Sequence, residues 1–255
     1  MSFAAPPFAH SFRQRLAQGR ARRLVWLALG APVLAEIAAE AGPDALVLDL
    51  QHGLWDRQGL EAAVGLAGAL VPVVVRSADF TPQGIATALD AGASAVMAPL
   101  VQSAEDAHSV VRAGRYPPVG ERSGGGVRPL RAGMAGMVAM GAEVALGAMI
   151  ETARGVAQAD AICATPGLDF IFIGTGDLAL SLTGAPPQAL ADACAQVRQS
   201  AQRHGLPCGL FTPDAAAARQ ALADGYAMAV VANDIHLARH GVAQALDQVP
   251  AATPA

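Results

Sequence analysis

Two stretches decide the fold: Val144-Ala145-Leu146-Gly147-Ala148-Met149-Ile150-Glu151 and, after a link of helical character, Phe170-Ile171-Phe172-Ile173-Gly174-Thr175-Gly176-Asp177. Each is a short apolar run that ends on an acid. Apolar runs of this length with a helix between them read as buried parallel strands of a βαβ unit. Glu151 and Asp177 then stand just past the carboxyl ends of neighbouring strands, which lie about 4.8 Å apart. Two hard carboxylates that close, with room for water and substrate, suit Mg²⁺ or Mn²⁺, with Co²⁺ as a softer substitute. Taken singly, Glu151 reads equally well as a cap on the following helix and Asp177 as a turn residue. Their recurrence at consecutive strand ends favours the shared ion.

The same pattern extends in both directions. Strands are expected over Leu24–Leu29, Ala45–Leu48, Pro72–Val75, Ala95–Ala98, Val144–Ile150, Phe170–Ile173, Pro207–Phe211 and Ala227–Val231. Helices are expected between them, over Pro32–Ala41, Leu60–Leu70, Thr81–Ala91, Ser103–Ala113, Met134–Met140, Pro187–His204, Asp214–Ala223 and Ile235–Leu246, with a short one over Ser11–Gly19. Gly42 and Gly92 stand where two of them should stop, and Ser103 where one should start. Eight strands alternating with helices predict an α/β fold, a (β/α)₈ TIM barrel, with chemistry at the carboxyl ends of the strands. The alternative is an open doubly wound sheet, but the first strand-helix turn has no GxGxxG sequence. The expectation is one barrel domain over residues 1–255, with a loose arm over about 1–10 and a frayed tail over about 250–255. Arg115 to Gly126 is too rich in Pro and Gly for a regular element. Gly124-Gly125-Gly126 there reads as a flexible lid or as close backbone packing.

Composition narrows the chemistry. The chain is 53% hydrophobic and 15% charged, with a net charge of −4. No basic stripe or run of like charge points to nucleic acid. No apolar stretch is long enough to predict a membrane span, and the amino-terminal residues lack the apolar segment of a signal peptide. Cys163, Cys194 and Cys208 form no CxxC pair, so structural thiols in a reducing, cytoplasmic compartment are expected. The chain contains no lysine. A side-chain Schiff base, a lysine-anchored pyridoxal cofactor and a Walker-type phosphate lysine are therefore excluded. Carbonyl activation must come from a metal, arginine or backbone donors.

On the barrel reading one face collects a site. Asp49 and His52 follow the second strand, Arg76 ends the third, and Glu151 and Asp177 follow the fifth and sixth. The acids would hold the ion, the arginine would meet an oxyanion, and the histidine would move protons near neutral pH. Gly174-Thr175-Gly176 reads as an anion-cradling backbone segment or as a tight turn. His236 and His240 are spaced i, i+4, but no third ligand accompanies them.

At this point the chain resembles the HpcH/HpaI aldolases, metal-dependent pyruvate aldolases of the phosphoenolpyruvate/pyruvate barrel superfamily. The resemblance runs from about Phe12 to Leu246. It is carried by Ala35-Glu36-Ile37-Ala38, Leu48-Asp49-Leu50-Gln51-His52-Gly53, Val75-Arg76, Arg115-Tyr116-Pro117-Pro118-Val119-Gly120-Glu121-Arg122, Met149-Ile150-Glu151-Thr152 and Ile173-Gly174-Thr175-Gly176-Asp177-Leu178. It implies cleavage of a 4-hydroxy-2-oxo acid, as in 4-hydroxy-2-oxoheptanedioate aldolases, to pyruvate and an aldehyde. Glu151 and Asp177 would be the metal ligands and Arg76 the group that steadies the enolate oxygen. His52, paired with Asp49 and with Asp90 of a neighbouring subunit, would organise a proton-transferring water. The resemblance also implies a homo-oligomer, a trimer or a hexamer built from trimers. Gln51 stands where many members have Glu, and Met149 where many have Gln. An acyl-CoA lyase of the same superfamily and a non-catalytic barrel that binds a small acid are the rival readings. The first should bring a basic surface for CoA, and the second should lack a catalytic group.

Overall fold

The computed structural model describes residues 11–249, so the expected arm over 1–10 and tail over 250–255 lie outside the described residues. Eight parallel strands close into a barrel in sequence order: β1 (Arg23–Leu27), β2 (Ala45–Asp49), β3 (Val73–Arg76), β4 (Ala95–Ala98), β5 (Ala145–Ile150), β6 (Phe170–Ile173), β7 (Cys208–Leu210) and β8 (Met228–Asn233). The helices are α1 (Phe12–Ala17), α2 (Pro32–Glu40), α3 (Arg57–Ala67), α4 (Pro82–Asp90), α5 (Ala104–Gly114), α6 (Gly133–Glu143), α7 (Ala153–Ala157), α8 (Ala159–Cys163), α9 (Thr175–Ser181), α10 (Ala189–Arg203), α11 (Ala215–Ala223) and α12 (Asp234–Asp247).

Strand parity explains both the continuous apolar runs and the location of the site. Successive side chains point to opposite faces. Ala45 and Val47 of β2, Val74 of β3, Ala145 and Met149 of β5, and Phe170 and Phe172 of β6 fill the lumen. Leu46, Leu48, Val73, Val75, Leu146, Ile150, Ile171 and Ile173 point out and pack beneath the helices. Both faces are buried, so no polar alternation survives in the sequence. The lumenal parity carries on to Asp49, Arg76 and Glu151, which places three ionisable side chains at the carboxyl end of the lumen. Gly147 is lumenal as well. A Cβ there would lie 2.2 Å from the Phe170 ring, so the small residue makes room for the large one.

The amino-terminal end of the barrel is closed by α1. Ser11 caps this helix by accepting the Gln14 N–H. Phe12 is wholly buried and meets Phe170 edge to face with centroids 5.6 Å apart. Arg13 Nε reaches Asp169 Oδ1 at 2.7 Å, while Asp169 Oδ2 accepts from Arg115 and from the Leu146 N–H. Phe12→Ala would empty the floor of the lumen. It is expected to cost about 3–5 kcal/mol in urea unfolding, whereas a cost within 1 kcal/mol of zero would mean that α1 is not part of the core.

The irregular section after α5 has no regular element until a 3₁₀ turn at Pro129–Ala132. Because it leaves the carboxyl end of a barrel helix, it lies at the amino-terminal end of the barrel, opposite the strand ends. Within one chain it is therefore no lid over them. Gly126 takes φ +87°, and a Cβ there would crowd Pro129 and Asp90, which fits the close-packing reading at this one glycine, while a Cβ on Gly125 would meet nothing within 4 Å.

Candidate active site

A cavity of about 380 Å³ opens at the carboxyl end of the barrel. Asp49, His52, Arg76, Glu151, Gly174, Thr175, Gly176 and Asp177 all line it. Asp90 does not. It is the last residue of α4, at the amino-terminal end, where its carboxylate pairs with Arg122 at 2.9 Å. Of the expected site residues, Asp90 alone is kept from the cavity within one chain.

Register brings the central groups together. Asp49 faces Arg76 across β2 and β3. Arg76 donates from Nε to Oδ1 at 2.8 Å and from Nη2 to Oδ2 at 2.5 Å. The guanidinium also lies 5.1 Å from the Trp26 ring centroid. Trp26 Nε1 donates to Asp49 Oδ2 at 3.2 Å. The Gln51 and His52 N–H groups donate to Asp49 Oδ1. Asp49 thus meets His52 through the backbone and not through the imidazole, because Arg76 and Trp26 already take up its carboxylate. Burial pushes the Asp49 carboxyl up, but the bonds and charge of Arg76, the His52 N–H and the Trp26 N–H together hold it below the usual carboxylate range. His52 itself is exposed on the cavity wall.

Glu151 is wholly buried. Its Oε1 accepts the Leu100 N–H at 2.7 Å, and its Oε2 is buried without a hydrogen-bond partner. Burial raises its pKa from 4.5 to about 7. The Leu100 N–H and Arg76 pull it back, and the charges of Asp177 and Asp49 add to the rise. Glu151 caps no helix: Thr152 caps α7, by accepting the Gly155 N–H. Asp177, half-buried, sits in the first turn of α9. Gly174-Thr175-Gly176 is neither an isolated turn nor a loop. Gly174 is the N-cap and Thr175 the first residue of α9, and Thr175 Oγ1 donates to the Phe211 carbonyl at 3.0 Å. Ile150 is registered with Ile173, so Gly174 lies beside Glu151. A Cβ on Gly174 would fall 2.2 Å from Glu151 Oε2.

Three contributors escaped the sequence reading. Trp26 lies inside the first expected strand and carries no local mark of a role at the site. Leu100, which orients Glu151, has φ +54°, and only the preceding Pro99 hints at a special backbone. Asp234 is buried and accepts the N–H groups of Ala28, Leu29 and Ile235, joining the end of β1 to the start of α12. The Asp234 bonds to Ala28 and Leu29 span most of the chain, and like the Trp26 and Leu100 contacts they leave no local pattern. His236 and His240 stack with centroids 5.7 Å apart on α12, beside a separate cavity.

The chain matches the HpcH/HpaI aldolase/citrate lyase family over residues 22–241. It is 38% identical over 237 residues to a 4-hydroxy-2-oxovalerate aldolase of Rhodococcus jostii, covering 89% of this chain and 91% of that one. It is 32% identical over 255 residues to a hydroxypyruvate/pyruvate aldolase of Paraburkholderia phytofirmans, covering 95% and 98%. The crystal structure of an HpcH/HpaI aldolase/citrate lyase family protein from Burkholderia cenocepacia superposes with a TM-score of 0.86 at 35% identity, covering 93% of this chain and 98% of that one. By its closed eight-stranded barrel and the span over which it matches, the chain belongs to the HpcH/HpaI aldolase/citrate lyase family.

Proposed function

We propose that this protein is a divalent-metal-dependent aldolase that reversibly cleaves a 4-hydroxy-2-oxo acid to pyruvate, or a close 2-oxo acid, and an aldehyde. The observation that carries the reading is Glu151: a fully buried carboxylate with one oxygen unpartnered, beside Asp177 and Arg76. A buried acid in that state calls for a cation. Among the described residues no three His, Cys, Asp or Glu side chains converge on one point. Glu151 and Asp177 would therefore hold the ion with water and substrate, as suits Mg²⁺ or Mn²⁺, with Co²⁺ a possible replacement. When bound, the ion supplies Lewis-acid polarisation of the 2-oxo group.

The chain's own residues do the rest. Arg76, fixed in a fork on Asp49, has Nη1 left for the pyruvyl oxygens. It stabilises the charge that reaches the C2 oxygen as the C3–C4 bond breaks. His52, on the cavity wall, takes the C4 hydroxyl proton through a water and returns a proton to C3 of the pyruvate enolate. Gly174, Thr175 and Gly176 line the substrate space. The absence of lysine leaves no side-chain amine for the competing Schiff-base route. Asp90 could assist only from a neighbouring subunit. A trimer or hexamer fits α12, whose Leu237, Val242 and Leu246 are exposed. Free, buried cysteines suit a reducing, cytoplasmic compartment. Among the described residues no helix is long and apolar enough to cross a membrane.

Pyruvate release from racemic 4-hydroxy-2-oxo acids tests the reading. Stripped of metal, the protein should be inactive, and Mn²⁺ or Mg²⁺ should restore release. No release with any metal, across several acids and from folded protein, would overturn it. Gly174→Ala adds a check on the ligand geometry. Its Cβ would displace the Glu151 carboxylate, so Mn²⁺ affinity measured by calorimetry should fall at least about tenfold. Unchanged affinity would take Glu151 out of the ligand set.

A further inference from the structure

We infer that the aldehyde half of the substrate is uncharged and apolar, so that aldehydes bearing a carboxylate are poor partners at this site. The inference rests on the aldolase reading above. Among the described residues Arg76 is the one arginine that lines the cavity, and two of its nitrogens are already bonded to Asp49. The chain has no lysine to add. His52 is the remaining wall group able to carry positive charge. Against these stand four acids: Asp49, Glu151, Asp177 and Asp234. Arg76 and an ion on Glu151 and Asp177 would serve the pyruvyl carboxylate and 2-oxo group. With His52 engaged in proton transfer, the wall that one chain supplies has no cationic group left for a second carboxylate.

The rest of the wall is mostly apolar, and its two other polar side chains are Thr175, whose hydroxyl donates to the Phe211 carbonyl, and Asn233, whose Oδ1 accepts the His236 N–H. Trp26, Met149 and Phe211 form its inner part, with Trp26 and Phe211 edge to face at 5.3 Å. Leu180 and Ile235 stand at the mouth, 73% and 39% exposed. Asp234 offers no hydrogen-bonding slack, because backbone N–H groups occupy both its oxygens. A carboxylate placed among these groups loses its water and gains no cationic partner, while an alkyl or aryl group buries surface against them.

The test is aldol addition of pyruvate by the metal-loaded full-length protein to a matched pair, succinic semialdehyde and its methyl ester. The ester should have a kcat/KM at least about tenfold higher, by the discrimination that an unpaired buried charge imposes. Leu180→Arg, at an exposed position that tolerates a long side chain, should narrow the ratio by improving use of the acid. Ile235→Arg serves the same purpose from α12. Equal use of the pair, or preference for the acid, overturns the inference. Deuterium exchange at C3 of pyruvate, followed by NMR without any aldehyde, separates the two readings. No exchange brings down the aldolase reading and this inference with it. Exchange with neither aldehyde consumed overturns the inference alone.

Discussion

Glu151→Gln is expected to lower metal-dependent pyruvate release by on the order of 10³-fold or more, and at the same time to make the metal-free protein more stable above neutral pH. Both effects have one cause. The carboxylate is wholly buried, its Oε1 is satisfied by Leu100 and its Oε2 is not. Burial, against the pull of Leu100 and Arg76 and with the push of Asp177 and Asp49, lifts its pKa from 4.5 to about 7. Since the folded value is the raised one, the folded metal-free protein keeps a proton that the unfolded chain releases. The resulting stabilisation is complete below pH 4.5 and is lost as pH rises through about 7. It amounts to roughly 3 kcal/mol by linkage. Glutamine carries no such charge. Urea midpoints of the metal-free protein should therefore fall between pH 5 and 8 in the parent and stay level in the variant. Mn²⁺ should restore stability to the parent alone. Metal-dependent activity that survives the substitution would move the ion away from Glu151. A parent with level midpoints would show that the carboxyl ionises as it does in water.

The opposite shifts of Glu151 and Asp49 within one cavity are what sequence cannot show. Both acids follow lumenal parity from their strands, and that parity is legible: Ala45 and Val47 lead to Asp49, and Ala145 and Met149 to Glu151. Their partners are not legible. Asp49 owes its ionised state to Arg76 and Trp26, on two other strands, and Glu151 owes its orientation to Leu100 after a third. Strand limits show the same division. The first strand is expected to run to Leu29 but ends at Leu27, because the N–H groups of Ala28 and Leu29 go to Asp234 instead of a neighbouring strand. The last runs on to Asn233, because Ala232 and Asn233 pair with Val25 and Trp26 of the strand that closes the barrel. The helix at Thr175 is hidden by the glycines on either side of it. Gly174 is set by the space Glu151 needs, and that is a tertiary demand. Asp90 shows the limit of transfer by resemblance: its place at the end of α4 puts it on the far side of its own barrel, so any role at the site depends on assembly.

Asp49→Asn is expected to cost about 3–5 kcal/mol of stability and to abolish activity, because it leaves the Arg76 guanidinium buried without a counter-charge. The two residues are 2% and 7% exposed, meet in a fork, and are registered partners at the ends of β2 and β3. Asparagine keeps the shape, but it offers one acceptor where Arg76 needs two and turns an N–H toward the guanidinium. It also disturbs the Trp26 contact and the turn that holds His52, both anchored on the same carboxylate. Stability and chemistry can be separated by replacing both partners. An apolar pair in place of a buried ion pair is often neutral for folding, so the Asp49→Leu/Arg76→Met double variant should recover most of the urea midpoint lost in Asp49→Asn. It should recover none of the activity, since the group that steadies the C2 oxygen has gone. A double variant as unstable as the single would mean that the site needs polar groups to pack. A double variant that releases pyruvate would remove Arg76 from the mechanism and leave charge stabilisation to the ion alone.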